Sequence, residues 1–298
     1  MIKRRFGVLA IAVLLPLFPV TCQAGEGETA SGSGAKEPAS AAHADWWTKS
    51  ALGGPSIPPQ ALYHVEGTLS FMDASGNTDG SVLNGRTEFD IRKWRFTDRV
   101  NGSISRQDIA YFAQGSVNFS EDTLRNELEF ALTRHSLLVG GIEYYRNTLM
   151  FMDKRQTEYF GGGITFSGEA SRQTLELIAG VGYSQFRFDR AGILQVNPDA
   201  LSQLSTLSPS SGGGFGMEIW RWKASPKIQL MQDTSYMDYF DGLLGHKWTF
   251  DTEANMPISK MFSTVIGYHL KDENNVYINT LRVKPRDQQV TVGLRVSR

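Results

Sequence analysis

The feature that most limits the fold of this chain is a two-residue alternation of apolar and polar side chains, which recurs along most of its length. The clearest example runs from Leu83 to Arg92. In an extended conformation, one face of this segment carries Leu83, Gly85, Thr87, Phe89 and Ile91. The opposite face carries Asn84, Arg86, Glu88, Asp90 and Arg92. Because one face is apolar and the other strongly charged, the pattern predicts a β-strand that contacts an apolar medium on one side.

Comparable runs recur to the end of the chain. They predict thirteen candidate strands, at 62–73, 80–92, 94–106, 109–119, 123–133, 137–147, 156–168, 171–188, 212–223, 226–237, 244–256, 260–271 and 287–297. Several of them reach about ten residues, which lets a tilted strand cross a bilayer. Single-chain bacterial barrels use even strand numbers. We therefore expect an all-β fold over residues 61–298: an antiparallel transmembrane β-barrel of about twelve strands, within a range of about 10 to 14.

The first 24 residues have the character of a secretory signal peptide. Basic residues Lys3, Arg4 and Arg5 precede an apolar run from Phe6 to Val20, which is shorter than the roughly twenty residues that a membrane helix needs. We expect cleavage after Ala24. Cys22 is the only cysteine, so the mature chain would have no disulfide, zinc site or thiol nucleophile. The alternative, Cys22 as a lipidated N-terminus, lacks the expected small and apolar residues before it.

Two further classes are disfavoured by composition. Without Lys3, Arg4 and Arg5, the 30 basic groups fall to 27, against 31 acidic groups, so no nucleic-acid partner is expected. No later segment approaches about twenty apolar residues, which disfavours a helical membrane protein.

Residues 25–60 are rich in Gly, Ser, Ala, Pro and Glu, and we expect a disordered low-complexity tether. Its Trp46 and Trp47 are candidates for a contact with the membrane interface or the barrel.

The longest predicted interruption runs from Asp189 to Gly214. Barrels of this type place long loops outside the cell, and Asn197, Pro198 and Asp199 are suited to cap a short helix over residues 200–204. Aromatic residues near strand ends are expected to form the interfacial girdles. They are Tyr144, Tyr145, Phe151, Tyr159, Phe160, Trp220, Trp222, Tyr236, Tyr239 and Phe240.

Several short motifs resemble the salt-induced outer-membrane proteins of the DUF481 family. The stretch from Gly67 to Thr78 is similar to that family's opening strand and Gly-Asn-Thr turn. Tyr159 to Phe166 and Leu175 to Tyr183 resemble its middle hairpin, and Asp287 to Leu294 its closing strand. The resemblance spans roughly residues 62–298. It implies an outer-membrane barrel, with a role under osmotic or envelope stress, and brings no catalytic residues. The ending Val296-Ser297-Arg298 departs from the aromatic C-terminus usual in such barrels.

The polar faces of the predicted strands supply the candidate functional residues. Ten charged side chains are expected to face the barrel interior: Arg86, Glu88, Asp90, Arg92, Arg125, Glu127, Glu129, Lys247, Asp251 and Glu253. Lys247 would lie beside Asp251 and Glu253. Charges of mixed sign at this density indicate a salt-bridged or narrow interior, with a solute pathway as the alternative.

No catalytic, cofactor-binding or metal-binding residues are predicted. Adjacent strand residues His135 and Ser136 point to opposite faces, and His269 lies about 20 Å along the strand from Ser263. The glycine runs at 161–163 and 212–216 lack the Lys-Ser/Thr pair and helix of a phosphate loop, and are interpreted as strand bends and turns.

We therefore expect a non-enzymatic protein of a Gram-negative-type outer membrane, structural or weakly conducting. Its expected partners are the lipid bilayer with lipopolysaccharide and the outer-membrane assembly machinery. Two alternatives stay open: a periplasmic β-barrel or sandwich that binds a ligand, and an outer-membrane hydrolase.

Overall fold

The computed structural model describes residues 61–74, 79–111, 115–133, 135–167, 173–196, 199, 206–225, 227–241, 244–274 and 286–297. The predicted signal peptide (1–24), the predicted tether (25–60), Cys22 and the Trp46-Trp47 pair lie outside these residues. Within the described part, no helix has the length and apolar character needed to cross a membrane.

The described residues form twelve strands and one short helix. The strands are β1 Leu62–Ala74, β2 Asp79–Lys93, β3 Phe96–Tyr111, β4 Gly115–Ala131, β5 Ser136–Asn147, β6 Met152–Ser167, β7 Gln173–Phe188, β8 Ser210–Ser225, β9 Ile228–Tyr239, β10 His246–Pro257, β11 Phe262–Asn274 and β12 Arg286–Ser297. Helix α1 spans Arg190–Val196, between β7 and β8.

Each strand pairs antiparallel with its neighbours in sequence, and β1 pairs with β12 to close the barrel. The closing register sets Leu69 opposite Leu294 and Glu66 opposite Ser297. Closure gives every described strand a partner on both sides, which suits a strand protein placed in an apolar medium. The predicted fold, a closed antiparallel barrel of about twelve strands, is confirmed.

The sequence had divided two long strands into three. Candidate strands 94–106, 109–119 and 123–133 correspond to β3 and β4, which pair from Phe96 opposite Phe130 to Tyr111 opposite Gly115. The polar residues Ser120, Glu121 and Asp122, which separated two candidate strands, lie within β4. They lie in the half of β4 nearer its start, where Asp122 pairs with Arg106 of β3 at 2.6 Å.

The two ends of the barrel differ in their connections. The terminal end holds the start of β1, the end of β12 and connections of two to five residues, at 94–95, 132–135, 168–172, 226–227 and 258–261. The opposite end, called the loop end below, holds three connections of three or four residues, at 75–78, 112–114 and 148–151, and three longer ones, at 189–209, 240–245 and 275–285. The loop before β8 ends earlier than expected, because β8 begins at Ser210. The glycines at 212–216 are therefore strand residues and not a turn, as are those at 161–163.

The one described helix also lies earlier than predicted. It begins after Asp189, whose carboxylate accepts a hydrogen bond from the Ala191 backbone N–H at 2.9 Å, an N-cap contact. The helix predicted over residues 200–204 lies outside the described residues.

The alternation predicted for β2 matches the burial of its residues. Phe89 is 38% exposed on the outer face, whereas Glu88 is 8% exposed and points inward. The same division holds on β12, where Val290, Val292 and Leu294 are exposed and Thr291 and Arg295 are buried. The barrel is thus apolar outside and largely polar inside.

Candidate functional site: the barrel interior

The interior of the barrel contains a cavity of about 340 Å³, called the lumen cavity. Inward-facing hydroxyl, amide and charged side chains form much of its wall, among them Ser70, Asn84, Ser103, Thr123, Thr249 and Gln289. These residues face inward because each occupies the polar position of an alternating strand. A wall of this kind holds water and polar solutes in preference to apolar ones.

Seven of the ten charged residues predicted to face inward line this cavity: Arg86, Glu88, Arg125, Glu127, Lys247, Asp251 and Glu253. The other three, Asp90, Arg92 and Glu129, lie on the same faces of β2 and β4, nearer the terminal end.

One arginine that the sequence did not single out connects three of the predicted carboxylates. Arg99 on β3 contacts Asp90 at 3.2 Å, Glu127 at 3.4 Å and Glu129 at 3.1 Å. Arg125 forms a further ion pair with Glu127. The carboxylates of β2 and β4 are thus gathered around the strand that lies between them, which offsets the cost of removing them from water.

A second cluster joins the two sides of the cavity. Arg86 on β2 lies 3.7 Å from Glu88 on its own strand, but also 3.5 Å from Glu253 on β10 and 3.9 Å from Asp233 on β9. Arg295 on β12 pairs with Glu253 as well. These contacts link strands that are not neighbours in the sheet, so they restrict the open cross-section of the interior.

Three more ion pairs cross the barrel. Each joins strands that lie five places apart in the twelve-strand sheet, and hence nearly opposite walls. These transverse ion pairs are Lys247–Glu143 at 3.1 Å, Lys271–Glu121 at 3.2 Å and Arg155–Glu273 at 3.2 Å. Lys247 thus contacts the far wall and not Asp251 or Glu253. Alternation predicts whether a side chain points inward or outward, but it does not predict which residue lies opposite it across the barrel.

Sequence reasoning missed several of these partners for identifiable reasons. Arg155 lies one residue before the candidate strand 156–168 and was therefore left out, although it is in phase with the buried Thr157 and Thr165 of β6. Glu143, Asp233, Lys271 and Glu273 do follow the alternation of their strands, and the period-two pattern could have found them.

The other part of the interior is apolar. It lies on β5 to β9, with α1 and the 240–245 connection, and is called the apolar sector. Its buried residues are Leu137, Val139, Tyr145, Met150, Met152, Ile178, Phe186, Phe188, Ile193, Phe215, Met237, Tyr239 and Leu244. Ile193 of α1 is 0% exposed, so the loop after β7 is anchored into the barrel at the loop end.

Glycines in the strand walls make room for this sector. A side chain at Gly180 would lie 2.2 Å from the Phe160 backbone oxygen and 2.7 Å from the Phe215 ring, and one at Gly161 would lie 3.0 Å from the same ring. The glycines of β6 and β7 therefore let an aromatic ring lie flat against the wall.

Part of the predicted aromatic girdle is wrong. Tyr145 and Tyr239 are buried in the interior, and Tyr159 donates a hydrogen bond to Glu127 at 2.6 Å. Phe151 packs against the apolar sector. Each of these three tyrosines is adjacent in sequence to an aromatic residue that faces outward: Tyr145 to Tyr144, Tyr239 to Phe240, and Tyr159 to Phe160. Consecutive residues of a strand point to opposite faces, so only one of each pair can belong to a girdle.

A hydrogen-bonded chain runs along the cavity wall from β10 to β12. His269 Nδ1 lies 2.9 Å from an Asp251 carboxylate oxygen, and His269 Nε2 lies 3.1 Å from the Thr291 hydroxyl. Gly267 permits this approach, because a side chain there would come within 2.8 Å of both Nε2 and the hydroxyl oxygen. His135, by contrast, is 3.1 Å from the Thr165 backbone oxygen, and Ser136 contacts the Thr133 hydroxyl. Within the described ranges, no group of three or more Asp, Glu or His residues has an arrangement that could hold a metal ion.

These features define the protein class as a twelve-stranded antiparallel β-barrel with a charged, cross-linked interior. A family model described as a protein of unknown function, DUF481, matches residues 67–297. The chain belongs to this family, which confirms the resemblance seen in the sequence. No curated protein matches the chain in sequence.

Solved structures with similar folds are membrane barrels of different kinds. The translocator domain of the autotransporter NalP from Neisseria meningitidis has 11% identity and a TM-score of 0.41, and the match covers 80% of this chain and 86% of that one. An outer membrane channel from Pseudomonas putida F1 has 10% identity and a TM-score of 0.43, with 80% and 94% covered. The beta domain of the Bordetella autotransporter BrkA has 10% identity and a TM-score of 0.40, with 80% and 98% covered. At these values the likeness carries no functional information.

Proposed function

We propose that this protein is an integral outer-membrane β-barrel with a structural or weakly conducting role. Its outer face supports membrane residence. On β1 and β12 alone, exposed apolar residues form a continuous surface of Tyr63, Val65, Leu69, Phe71, Val290, Val292, Leu294 and Val296. Apolar patches of this extent are rare on proteins surrounded by water. A periplasmic ligand-binding barrel would need the opposite arrangement, with polar outer faces.

The limits of the apolar belt are also visible on the outer face. Toward the loop end, Arg106 and Asp122 form an outer ion pair at 2.6 Å, where β3 and β4 leave the belt. At the terminal end, Trp94, Phe96 and Phe130 form an aromatic cluster, with the Phe96 and Phe130 ring centroids 4.8 Å apart. Aromatic residues of this kind favour the membrane interface. Short connections and both chain ends suit a periplasmic location for the terminal end.

The single observation that carries the structural role is the set of transverse ion pairs. They connect opposite walls and place opposite charges within 3.1 to 3.2 Å of each other. Such pairs cancel the field that an ion-selective pore requires, and they narrow the path through the barrel. A role in envelope or osmotic stress, insertion by the assembly machinery and contact with lipopolysaccharide belong to the same proposal.

Cell fractionation tests the membrane part of this proposal. The mature chain is expected in the outer-membrane fraction, and recovery in the soluble periplasm would exclude an integral barrel.

A matched pair of variants tests the orientation of β2. Phe89→Arg places a guanidinium in lipid and should cost about 2 to 4 kcal/mol, whereas the neighbouring Glu88→Gln should cost less. The gel shift between folded and heated protein measures both, and equal effects would mean that the outer face does not contact lipid.

One observation favours a second candidate function, ester hydrolysis within the cavity. The Asp251–His269–Thr291 chain has the order of acid, base and hydroxyl found in nucleophilic hydrolases. In that reaction the Thr291 hydroxyl attacks the ester carbonyl, and His269 accepts its proton and passes it to the leaving alcohol. Water then hydrolyses the acyl-threonine. Turnover of a p-nitrophenyl ester by purified barrel, lost in both His269→Ala and Thr291→Val but kept in Ser263→Ala, would support this function. Equal rates in all four proteins would exclude it.

A further inference from the structure

The outer face of β8, β9 and β10 interrupts the apolar belt with a polar patch. Its members are Glu218 on β8, Gln232 and Thr234 on β9, and Thr252 on β10. Their positions are contiguous, because Glu218 lies opposite Thr234 and Gln232 lies opposite Thr252. These four residues are called the β8–β10 patch.

The orientation of the patch follows from the residues between its members. Phe215 on β8, Met237 on β9 and Glu253 on β10 are buried on the inner face of the barrel. Each member of the patch lies an odd number of positions along its strand from one of these residues. The residues that alternate with them must therefore point outward.

The patch lies inside the apolar belt and not at its edge. On β8, Trp220 and Trp222 follow Glu218 toward the terminal end, and on β9, Leu230 and Tyr236 flank the patch on its two sides. Polar groups at this depth have no water to bind. Lipid offers them no hydrogen bonds.

The hydrogen-bonding capacity of the patch is unused. Among the residues that the structure describes, the Thr234 and Thr252 hydroxyls are buried without a hydrogen-bond partner, and the Glu218 carboxylate has no hydrogen bond or ion pair. Next to the patch, β8 presents Gly212, Gly214 and Gly216 on the outer face. A side chain added at Gly214 would meet nothing within 4 Å, so another protein surface can approach the backbone closely there.

We propose that the β8–β10 patch is the interface of a homodimer within the membrane. This inference rests on the proposed membrane residence. Two copies inserted by the same route keep the same direction across the bilayer, so a symmetric dimer has its two-fold axis along the membrane normal. Such an axis keeps each residue at its own height, and the patch meets a copy of itself.

The patch is chemically self-complementary. Glu218 supplies acceptor oxygens, and the Gln232 amide supplies donors. Apposition of two copies would offer hydrogen-bond donors to the Glu218 carboxylate, which a lipid-exposed monomer leaves without a partner. Because the polar groups are few and the surrounding surface is apolar, the contact remains compatible with membrane insertion of each copy.

Site-specific cross-linking tests this interface in isolated membranes. Cys22 is the only cysteine and lies in the predicted signal peptide, so single cysteines can be introduced into an otherwise cysteine-free mature chain. Leu230→Cys lies beside the patch, and Val292→Cys lies on the outer face of β12 as the matched control. A short bis-maleimide is expected to give a band of twice the chain mass with Leu230→Cys and little of it with Val292→Cys.

Variants of the patch then test its chemistry. In the Leu230→Cys chain, Glu218→Leu is expected to reduce the dimer band to the level of the control, whereas Glu218→Gln, which keeps hydrogen-bonding atoms, retains it. Native mass spectrometry of detergent-purified protein should give the same order.

Three outcomes would overturn the interface: equal cross-linking from both cysteines, no effect of Glu218→Leu, or a cross-linked band that contains a different protein. Fractionation of the same samples separates this failure from that of the proposed function. A chain found in the membrane as a monomer contradicts only the dimer, whereas a chain found in the soluble fraction contradicts the membrane barrel itself.

Discussion

The charged region around the lumen cavity, called the polar sector, and the apolar sector are built on the same sheet. The two sectors fill the barrel by different means. Around the lumen cavity, charged side chains meet in ion pairs and leave space of about 340 Å³. On β5 to β9, aromatic and aliphatic side chains pack together with the anchor Ile193. The inner face of one closed sheet can therefore be polar and charged in one place and apolar and closely packed in another.

The largest expected effect is at the boundary between the two sectors. Arg155 and Glu273 have side chains that are each 1% exposed, and the Arg155 guanidinium lies 4.3 Å from the Tyr145 ring centroid. Arg155→Ala removes the closer cation from the buried Glu273 carboxylate and leaves it Lys271 at 3.9 Å, so it should reduce the free energy of unfolding by about 3 to 5 kcal/mol. Urea unfolding in lipid vesicles measures this loss.

The double variant Arg155→Met, Glu273→Met provides the control for that prediction. Replacing both charges by apolar side chains removes the poorly compensated carboxylate, so much of the stability should return. A double variant as unstable as the single one would show that the ion pair is not the cause.

Truncations within each sector should differ in cost. Ile178 is 3% exposed in the apolar sector, and Ile178→Ala should cost about 2 to 5 kcal/mol because it leaves a cavity among packed side chains. Thr123, also β-branched, lines the lumen cavity, and Thr123→Ala should change stability by less than about 0.5 kcal/mol. Similar costs for the two would mean that the sectors do not differ in packing.

The sequence could predict one side of this comparison much better than the other. Alternation predicted the closed barrel, although it divided two long strands into three. It also predicted an apolar outer face and an inward orientation for ten charged residues, because apolar and polar residues alternate along most strands. It could not give the apolar sector, where Leu137 and Val139 point inward and Leu138 points outward on an evenly apolar strand. Nor could it predict the pairing of Arg155 with Glu273 or of Lys247 with Glu143. Such contacts depend on barrel closure and not on local pattern.

The anchor of α1 tests whether the apolar sector seals the loop end. Ile193→Asp puts a carboxylate among apolar side chains, at a cost well above the 1.4 kcal/mol that corresponds to a tenfold change in an equilibrium. Proteolysis between residues 189 and 209 should therefore become at least about tenfold faster, while the barrel stays folded. Leu194→Asp is the control, since Leu194 is 40% exposed on the same helix. Equal cleavage of both variants would mean that Ile193 does not hold the loop.

The smallest effect concerns conduction through the polar sector. Purified barrel in planar bilayers should show a small conductance with weak ion preference, because the transverse ion pairs narrow the path and balance positive with negative charge.

Lys247→Met removes one of these pairs, yet Glu143 keeps Arg155 as a partner at 3.3 Å, so the barrel should remain folded. The loss of one positive charge should shift the preference slightly toward cations and raise the conductance a little. The double variant Lys247→Met, Glu143→Gln widens the same path without this change in charge, so it should raise the conductance without the shift. Large, stable and strongly selective openings in the unaltered protein would instead indicate a dedicated pore, and would mean that the ion pairs do not close the polar sector.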